Sequence, residues 1–272
     1  MKGEDTMKIA VVGAGVVGAC AAFHLSQRED CEVVLINKSY EGKATLAGAG
    51  IINPWVPRYN DPDWFAIASQ GALYYPELIK SLEELGETNT GYKQTGALAT
   101  STELKVIEQL EEKLTKRKEK FPIIGDIRIL EAPQAKKYFP ALADDLHALY
   151  FSGAARLDGR LLAEALVRGV KKSKGTVIEE QVTLQKDGND VRLITEGEEI
   201  KADQIIVAAG AWTKDLLENI GVFINLEPQR GQIVHLSIEE DTSNWPVILP
   251  QESSHYIVPF DDHRVAFGAT RE

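Results

Sequence analysis

Lys8-Ile9-Ala10-Val11-Val12-Gly13-Ala14-Gly15-Val16-Val17-Gly18-Ala19-Cys20-Ala21-Ala22-Phe23-His24-Leu25 is the stretch that decides the fold. A short run of β-branched residues ends at Gly13, and Gly13, Gly15 and Gly18 then stand in G-x-G-x-x-G spacing before an Ala- and Val-rich helical segment. The first glycine allows the tight turn, the second lets backbone N–H groups approach a pyrophosphate, and the third brings helix and sheet together. The helix N-terminus adds the positive end of its dipole. A second apolar run, Val33-Val34-Leu35-Ile36, closes a βαβ unit of dinucleotide-binding length. The position that normally carries a ribose-binding acid departs from this pattern. Asn37 stands there, 24 positions after Gly13 and followed by Lys38. Asn can accept one hydrogen bond and donate another but carries no charge. Lys38 leaves a 2′-phosphate open, so the motif alone does not choose between dinucleotides.

The 272 residues are enough for one or two domains. A hydrophobic fraction of 44% with 26% charged residues describes a soluble globular protein. The net charge of −11 argues against nucleic acid or an anionic membrane as the main partner. Cys20 and Cys31 make neither a disulfide framework nor a metal-ligand pattern, and they suit a reducing compartment. Residues 1–7 are polar and acidic, unlike a signal peptide, and no run of apolar residues is long enough to span a membrane. The expected location is the cytoplasm, compatible with a peripheral place on the inner face of a membrane. His24, His147, His235, His255 and His263 are scattered without ligand spacing, so no metal is expected; His255 draws interest only as the neighbour of Tyr256.

Outward from the βαβ unit, Lys43–Trp55 reads as a ligand-facing loop of small residues. Apolar spacing from Asp63 to Leu85 predicts a helix capped by Asp61 or Asp63, kinked at Pro76 and ended by Gly86. Gly91–Ser101 reads as a turn and strand, and Thr102–Lys120 as a solvated charged helix. A short helix around Pro133–Tyr138 and a strand at Ala148–Ser152 precede a helix from Arg160 to about Lys172. Its apolar stripe is Leu161, Leu162, Leu166, Val167 and Val170, and Gly175 terminates it. A strand at Thr176–Glu179 restarts the α/β rhythm. Residues 181–201 alternate like an antiparallel meander, with turns at Lys186-Asp187-Gly188-Asn189 and Glu196-Gly197-Glu198. A buried strand, Gln204-Ile205-Ile206-Val207, then runs into Ala208-Ala209-Gly210-Ala211-Trp212, returning the chain to its first sheet.

A glycine-rich βαβ unit, a meander and an apolar strand ending Ala-Ala-Gly-Ala-Trp resemble the D-amino-acid-oxidase-like family of FAD-dependent oxidoreductases, which includes glycine oxidase, sarcosine oxidase and D-amino acid dehydrogenase. Later marks of the resemblance are Pro228-Gln229-Arg230-Gly231-Gln232-Ile233, His255-Tyr256-Ile257-Val258-Pro259 and Arg264–Glu272. It implies an α/β fold: a glutathione-reductase-type FAD-binding Rossmann domain with a β-meander, plus an α+β substrate domain on an antiparallel sheet. The expected division is 7–88 with 147–225 for the FAD-binding domain, and 89–146 with 226–272 for the substrate domain. By resemblance, Gly13, Ala14, Gly15, Val16, Val17 and Gly18 would hold the FAD pyrophosphate, with Asn37 and Lys38 at the ribose. Ala44, Thr45, Gly48, Ala49, Gly50 and Ile51 would pass beside the isoalloxazine, and Val182 would meet the adenine through its backbone. Ala209, Gly210 and Trp212 would close over the cofactor, while Gly231, Gln232 and the candidate catalytic residues Arg230 and Tyr256 would bring substrate to it.

The implied chemistry is oxidation of a C–N bond in a small amine or amino acid (a D-amino acid, glycine or an N-methyl amino acid). A hydride passes to flavin N5, and oxygen or a quinone- or dye-type acceptor takes the electrons. FAD does the hard step, so no Ser/His/Asp or paired-carboxylate constellation is needed. Family members continue beyond the Gly-Ala-Thr-x-Glu segment to a last strand and a carboxylate-binding arginine, whereas this sequence ends at Glu272. Two expectations follow: a shortened chain or gene, or a member whose active site is incomplete. In either case surface normally covered would invite homo-oligomerisation. The alternatives are a flavin-binding or interaction module without catalysis, and an NAD(P)-dependent enzyme suggested by Asn37-Lys38.

Overall fold

The structure is a computed structural model that describes residues 6–56, 61–188 and 190–272. The polar lead-in at residues 1–5 and Asn189 of the meander turn lie outside the described residues. In chain order the first elements are β1 (Met7–Val12), α1 (Val16–Ser26), β2 (Cys31–Ile36), α2 (Ala44–Ala47), β3 (Ile51–Ile52), α3 (Pro62–Glu84), β4 (Ala97–Ser101) and α4 (Leu104–Lys120). Then come β5 (Ile127–Leu130), α5 (Ala132–Ala135), β6 (His147–Phe151), β7 (Ala155–Arg156), α6 (Gly159–Lys172) and β8 (Thr176–Ile178). The last are β9 (Thr183–Asp187), β10 (Asp190–Ile194), β11 (Glu199–Ile200), β12 (Gln204–Val207), α7 (Thr213–Glu218), β13 (Ile233–Ser237), β14 (Val247–Pro250), β15 (Tyr256–Pro259) and β16 (Arg264–Gly268).

The described chain forms two compact units: residues 1–48, 80–90 and 159–229, and residues 49–79, 91–158 and 230–272. The first is built on a parallel sheet in the order β12-β1-β2-β8. Ile9 pairs with Val33 on one side and Gln204 on the other, so the late strand β12 returns beside β1. Period-two alternation divides the sheet residues between its faces. Ala10, Val12, Val34 and Ile36 pack against Leu184 and Leu193 of the three-stranded meander β9–β11. On α1, Ala19, Ala22 and Phe23 are fully buried, and α6 packs so near that a Cβ on Gly169 would stand 2.8 Å from the Phe23 ring. Gly175 N–H donates to Val170 O and closes the end of α6. Beneath α6, Glu87 is buried, with carboxylate oxygens 2.7 Å from both Arg168 Nε and Lys172 Nζ.

The second unit carries a seven-stranded sheet, β13-β16-β15-β14-β4-β6-β5, and the ribbon β3-β7. It is antiparallel except where β14 lies parallel to β4, Val247 opposite Ala97, so the expected antiparallel sheet is in fact mixed. β6, assigned by the sequence reading to the first domain, pairs with β4 and β5 here. The sequence could not place it, because β4 and β6 bury residues on both faces and so lack a one-sided alternation. Leu98, Leu130, Phe139, Ala148 and Ile248 form one core cluster. Trp55 is fully buried and donates from Nε1 to Gly153 O at 2.8 Å.

The α3 start is capped by Asp61, whose Oδ1 accepts from the N–H groups of Asp63 and Trp64. The expected solvated face of α4 has one exception: the Arg117 guanidinium donates to Trp55 O and stacks over Phe65. The expected loop after β2 contains the single turn of α2 and the strand β3. Among the described residues no helix is long and apolar enough to cross a membrane.

Candidate dinucleotide site

Strands β1, β2 and β12 all end at one edge of the first unit's sheet, and a cleft of about 630 Å³ opens there. From β1 the chain moves out to β2 and later returns on the opposite side as β12. Ligands of open α/β sheets bind at such a reversal, beyond the carboxyl ends of the strands. Two turns far apart in sequence converge on this cleft. Gly13 to Val17 line it from one direction, and Ala208 to Trp212 from the other.

Close packing shows why those turns need small residues. Gly13 has φ +104°, and a Cβ there would come 2.4 Å from Ala208 O. A Cβ on Gly18 would stand 1.9 Å from Gly13 O, so this glycine seats α1 against the turn beneath the cleft. A Cβ on Gly15 would meet only Thr45 Oγ1, at 3.3 Å. Gly15 has no side chain to cap α1, and Val16 N–H at the first helical position donates to Thr45 Oγ1 at 3.0 Å. An uncapped helix start with its N–H groups turned to a cleft is a cradle for an anion. It fits the diphosphate of a dinucleotide.

Asn37, expected at the ribose, lines the cleft but is already engaged. Its Oδ1 accepts from Ala14 N–H at 3.2 Å and from Lys43 Nζ at 3.2 Å. Because Ala14 N–H can only donate, the atom facing it must be the oxygen, and the amide keeps only its Nδ2 hydrogens to offer. The expectation that Asn37 would both accept and donate toward a ribose is corrected accordingly. Lys38 also lines the cleft, but its ammonium already has a counter-ion, Glu196 Oε1 at 3.5 Å, and donates to Gln181 Oε1 at 3.0 Å. Lys43 was not singled out in the sequence. It is half-buried, lines the cleft, and burial pushes its ammonium below the usual lysine range. Its signal was faint, a lone cation heading a stretch of small residues.

Among the other sequence candidates, Ala44, Thr45, Val182, Ala209, Gly210 and Trp212 line the cleft. Trp212 stacks on Tyr40 with centroids 5.0 Å apart. Gly48 follows α2 in the first unit, whereas Ala49, Gly50, Ile51, Arg230, Gly231, Gln232 and Tyr256 belong to the second and are not among the cleft-lining residues. Arg230 is 74% exposed and reaches Glu272 at 3.7 Å, while Tyr256 begins β15 half-buried. Arg264 is engaged within its own unit: Asp158 holds it at 2.7 Å and it stacks over Phe260 at 4.0 Å. His255 lies parallel to the Phe267 ring, its Nδ1 2.9 Å from Ser253 Oγ. Among the described residues no group of His, Cys, Asp and Glu could hold a metal ion.

The profile of the FAD dependent oxidoreductase family, DAO, matches residues 8–272. The chain belongs to this family. Its cofactor is therefore FAD, which sets aside the NAD(P) alternative that Asn37-Lys38 had left open. The chain is 40% identical over 264 residues to the "Uncharacterized oxidoreductase YurR" of Bacillus subtilis (strain 168), covering 96% of this chain and 70% of that one. The crystal structure of iminodiacetate oxidase (IdaA) from Chelativorans sp. BNC1 superposes with a TM-score of 0.91 at 41% identity, over 97% of this chain and 72% of that one. Glycine oxidase from Geobacillus kaustophilus gives 0.79 at 25% identity, over 98% and 72%. The protein is an FAD-dependent oxidoreductase.

Proposed function

We propose that this oxidoreductase oxidises the C–N bond of a small amine bearing a carboxylate, with an N-substituted glycine such as iminodiacetate as the first choice and glycine as the second. The observation that carries the reading is the likeness to iminodiacetate oxidase, at 41% identity over nearly the whole chain. The first unit serves as the FAD-binding domain: Gly13–Gly18 hold the diphosphate, Ala44 and Thr45 flank the cofactor, and Ala209–Trp212 close the cleft.

FAD, when bound, supplies a two-electron hydride acceptor. The protein's own task is placement. The Tyr256 hydroxyl donates to the substrate carboxylate and Arg230 supplies the compensating cation, so that the α-carbon hydrogen is aimed and the amine lone pair is free to form the C=N bond. Water then cleaves that imine, so R–NH–CH₂–COO⁻, water and an acceptor give R–NH₂, glyoxylate and the reduced acceptor. Oxygen, a quinone or a dye fills the acceptor role.

The test is anaerobic mixing of the FAD-loaded protein with iminodiacetate, glycine, sarcosine and D-alanine, followed by turnover with oxygen and with a dye. Iminodiacetate should bleach the flavin and give the highest kcat/KM. Tyr256→Phe should raise KM by about tenfold with a smaller change in kcat, as expected for loss of a charge-assisted hydrogen bond. Bound flavin that no amine bleaches would replace this reading with a flavin-binding module that does no chemistry.

A further inference from the structure

Among the described residues Lys43 is a cation without a counter-ion. It stands half-buried at the cleft where the uncapped start of α1 also presents positive potential, and among the described residues no carboxylate lies within ion-pairing distance of its Nζ. Its ammonium donates to a neutral oxygen, Asn37 Oδ1 at 3.2 Å, and that oxygen is shared with Ala14 N–H of the glycine turn. A desolvated ammonium held by a neutral amide loses hydration and gains little, which is why burial depresses its pKa. An anion entering the cleft relieves that cost.

The same geometry explains the missing acid. A carboxylate at position 37 would sit where Asn37 Oδ1 sits, within ion-pair distance of Lys43, and would neutralise it. Resting on the assignment of this cleft to FAD, we propose that Lys43 neutralises the FAD diphosphate, and that the amide at position 37 keeps the Lys43 charge free to do so. The ordinary dinucleotide-fold rule, in which an acid here grips the ribose hydroxyls, gives the opposite sign for a change at this position.

The decisive experiment measures FAD, ADP and adenosine binding to the cofactor-free full chain, using flavin fluorescence for FAD and calorimetry for the other two. Lys43→Met should weaken FAD and ADP by about tenfold or more while leaving adenosine within about twofold, since a hydrogen bond to a charged group is at stake. Lys43→Arg should recover most of the loss. Asn37→Asp should weaken FAD and ADP rather than tighten them, and should flatten the fall of ADP affinity with added salt. Should Lys43→Met fail to fold, Asn37→Asp and its salt dependence still decide. Tighter FAD binding by Asn37→Asp overturns the proposal, as does a Lys43→Met protein that binds ADP like the parent or loses adenosine equally. A parent chain that binds no FAD at all would instead sink the cofactor assignment beneath it.

Discussion

Gly18→Ala adds a single carbon where α1 meets the glycine turn most tightly. The new Cβ would lie 1.9 Å from Gly13 O and 3.0 Å from the Ala208 Cβ. Ordinary contact needs roughly 3.5 Å, so α1 must withdraw from the turn by more than about 1 Å. The nearer obstacle is backbone, and no rotamer change relieves it. Overpacking of this kind costs about 1–3 kcal/mol, corresponding to a loss of about 2–10 °C in Tm for a chain of this size. The helix start moves with it, carrying its N–H groups off the diphosphate and weakening FAD by about tenfold or more through lost charge-assisted hydrogen bonds. Gly71→Ala in α3 is the control, because a Cβ there meets nothing within 4 Å. It should stabilise the chain by about 0.5–1 kcal/mol, as a helix-interior Gly→Ala change does. Circular dichroism melting and a flavin fluorescence titration measure both proteins. A Gly18→Ala chain that melts and binds FAD like the parent would refute the packing argument.

Glu87→Gln should cost about 1–2 kcal/mol at neutral pH, because Arg168 and Lys172 lose a buried partner but keep access to water. Burial raises the Glu87 carboxyl pKa, but the Lys172 and Arg168 hydrogen bonds outweigh it and leave the value below the ordinary 4.5. Its contribution is therefore present above pH 4.5 and fades as pH falls through the lower folded value, so parent and variant melting curves should converge in acid. Arg264→Gln should lower stability by about 2 kcal/mol, since Asp158, only 12% exposed, loses its cation and Phe260 its stacking partner; an unchanged urea midpoint would count against this. Trp55→Phe should cost about 1–3 kcal/mol by leaving Gly153 O without its donor in a buried site, read from the same denaturation curves.

The first unit was largely legible in the sequence because its signals are local. The Gly13–Gly18 spacing follows a β-branched run, and the α6 stripe repeats at helical period. The return of β12 beside β1 followed from an apolar strand ending in small residues, although as an edge strand β12 is only half-buried and not buried as expected. Pairing in the second unit is not local: β4 meets β14 across some 150 residues, and two-sided burial erases the alternation that would assign a face. The site was legible wherever backbone forms it. It was illegible at Lys43 and Asn37, where the polarity of the cleft turns on which of two polar side chains claims the other, a matter of angstroms that spacing does not encode.

Titration of the cofactor-free chain with FAD, in the presence of ADP or FMN, goes straight to the convergence of the two turns on one diphosphate. Saturation at one FAD per chain, competed by ADP and unaffected by FMN, is the result that the proposed placement of the adenosine diphosphate half in the cleft of the first unit predicts. Absence of saturable FAD binding, or displacement by FMN as readily as by ADP, would contradict it.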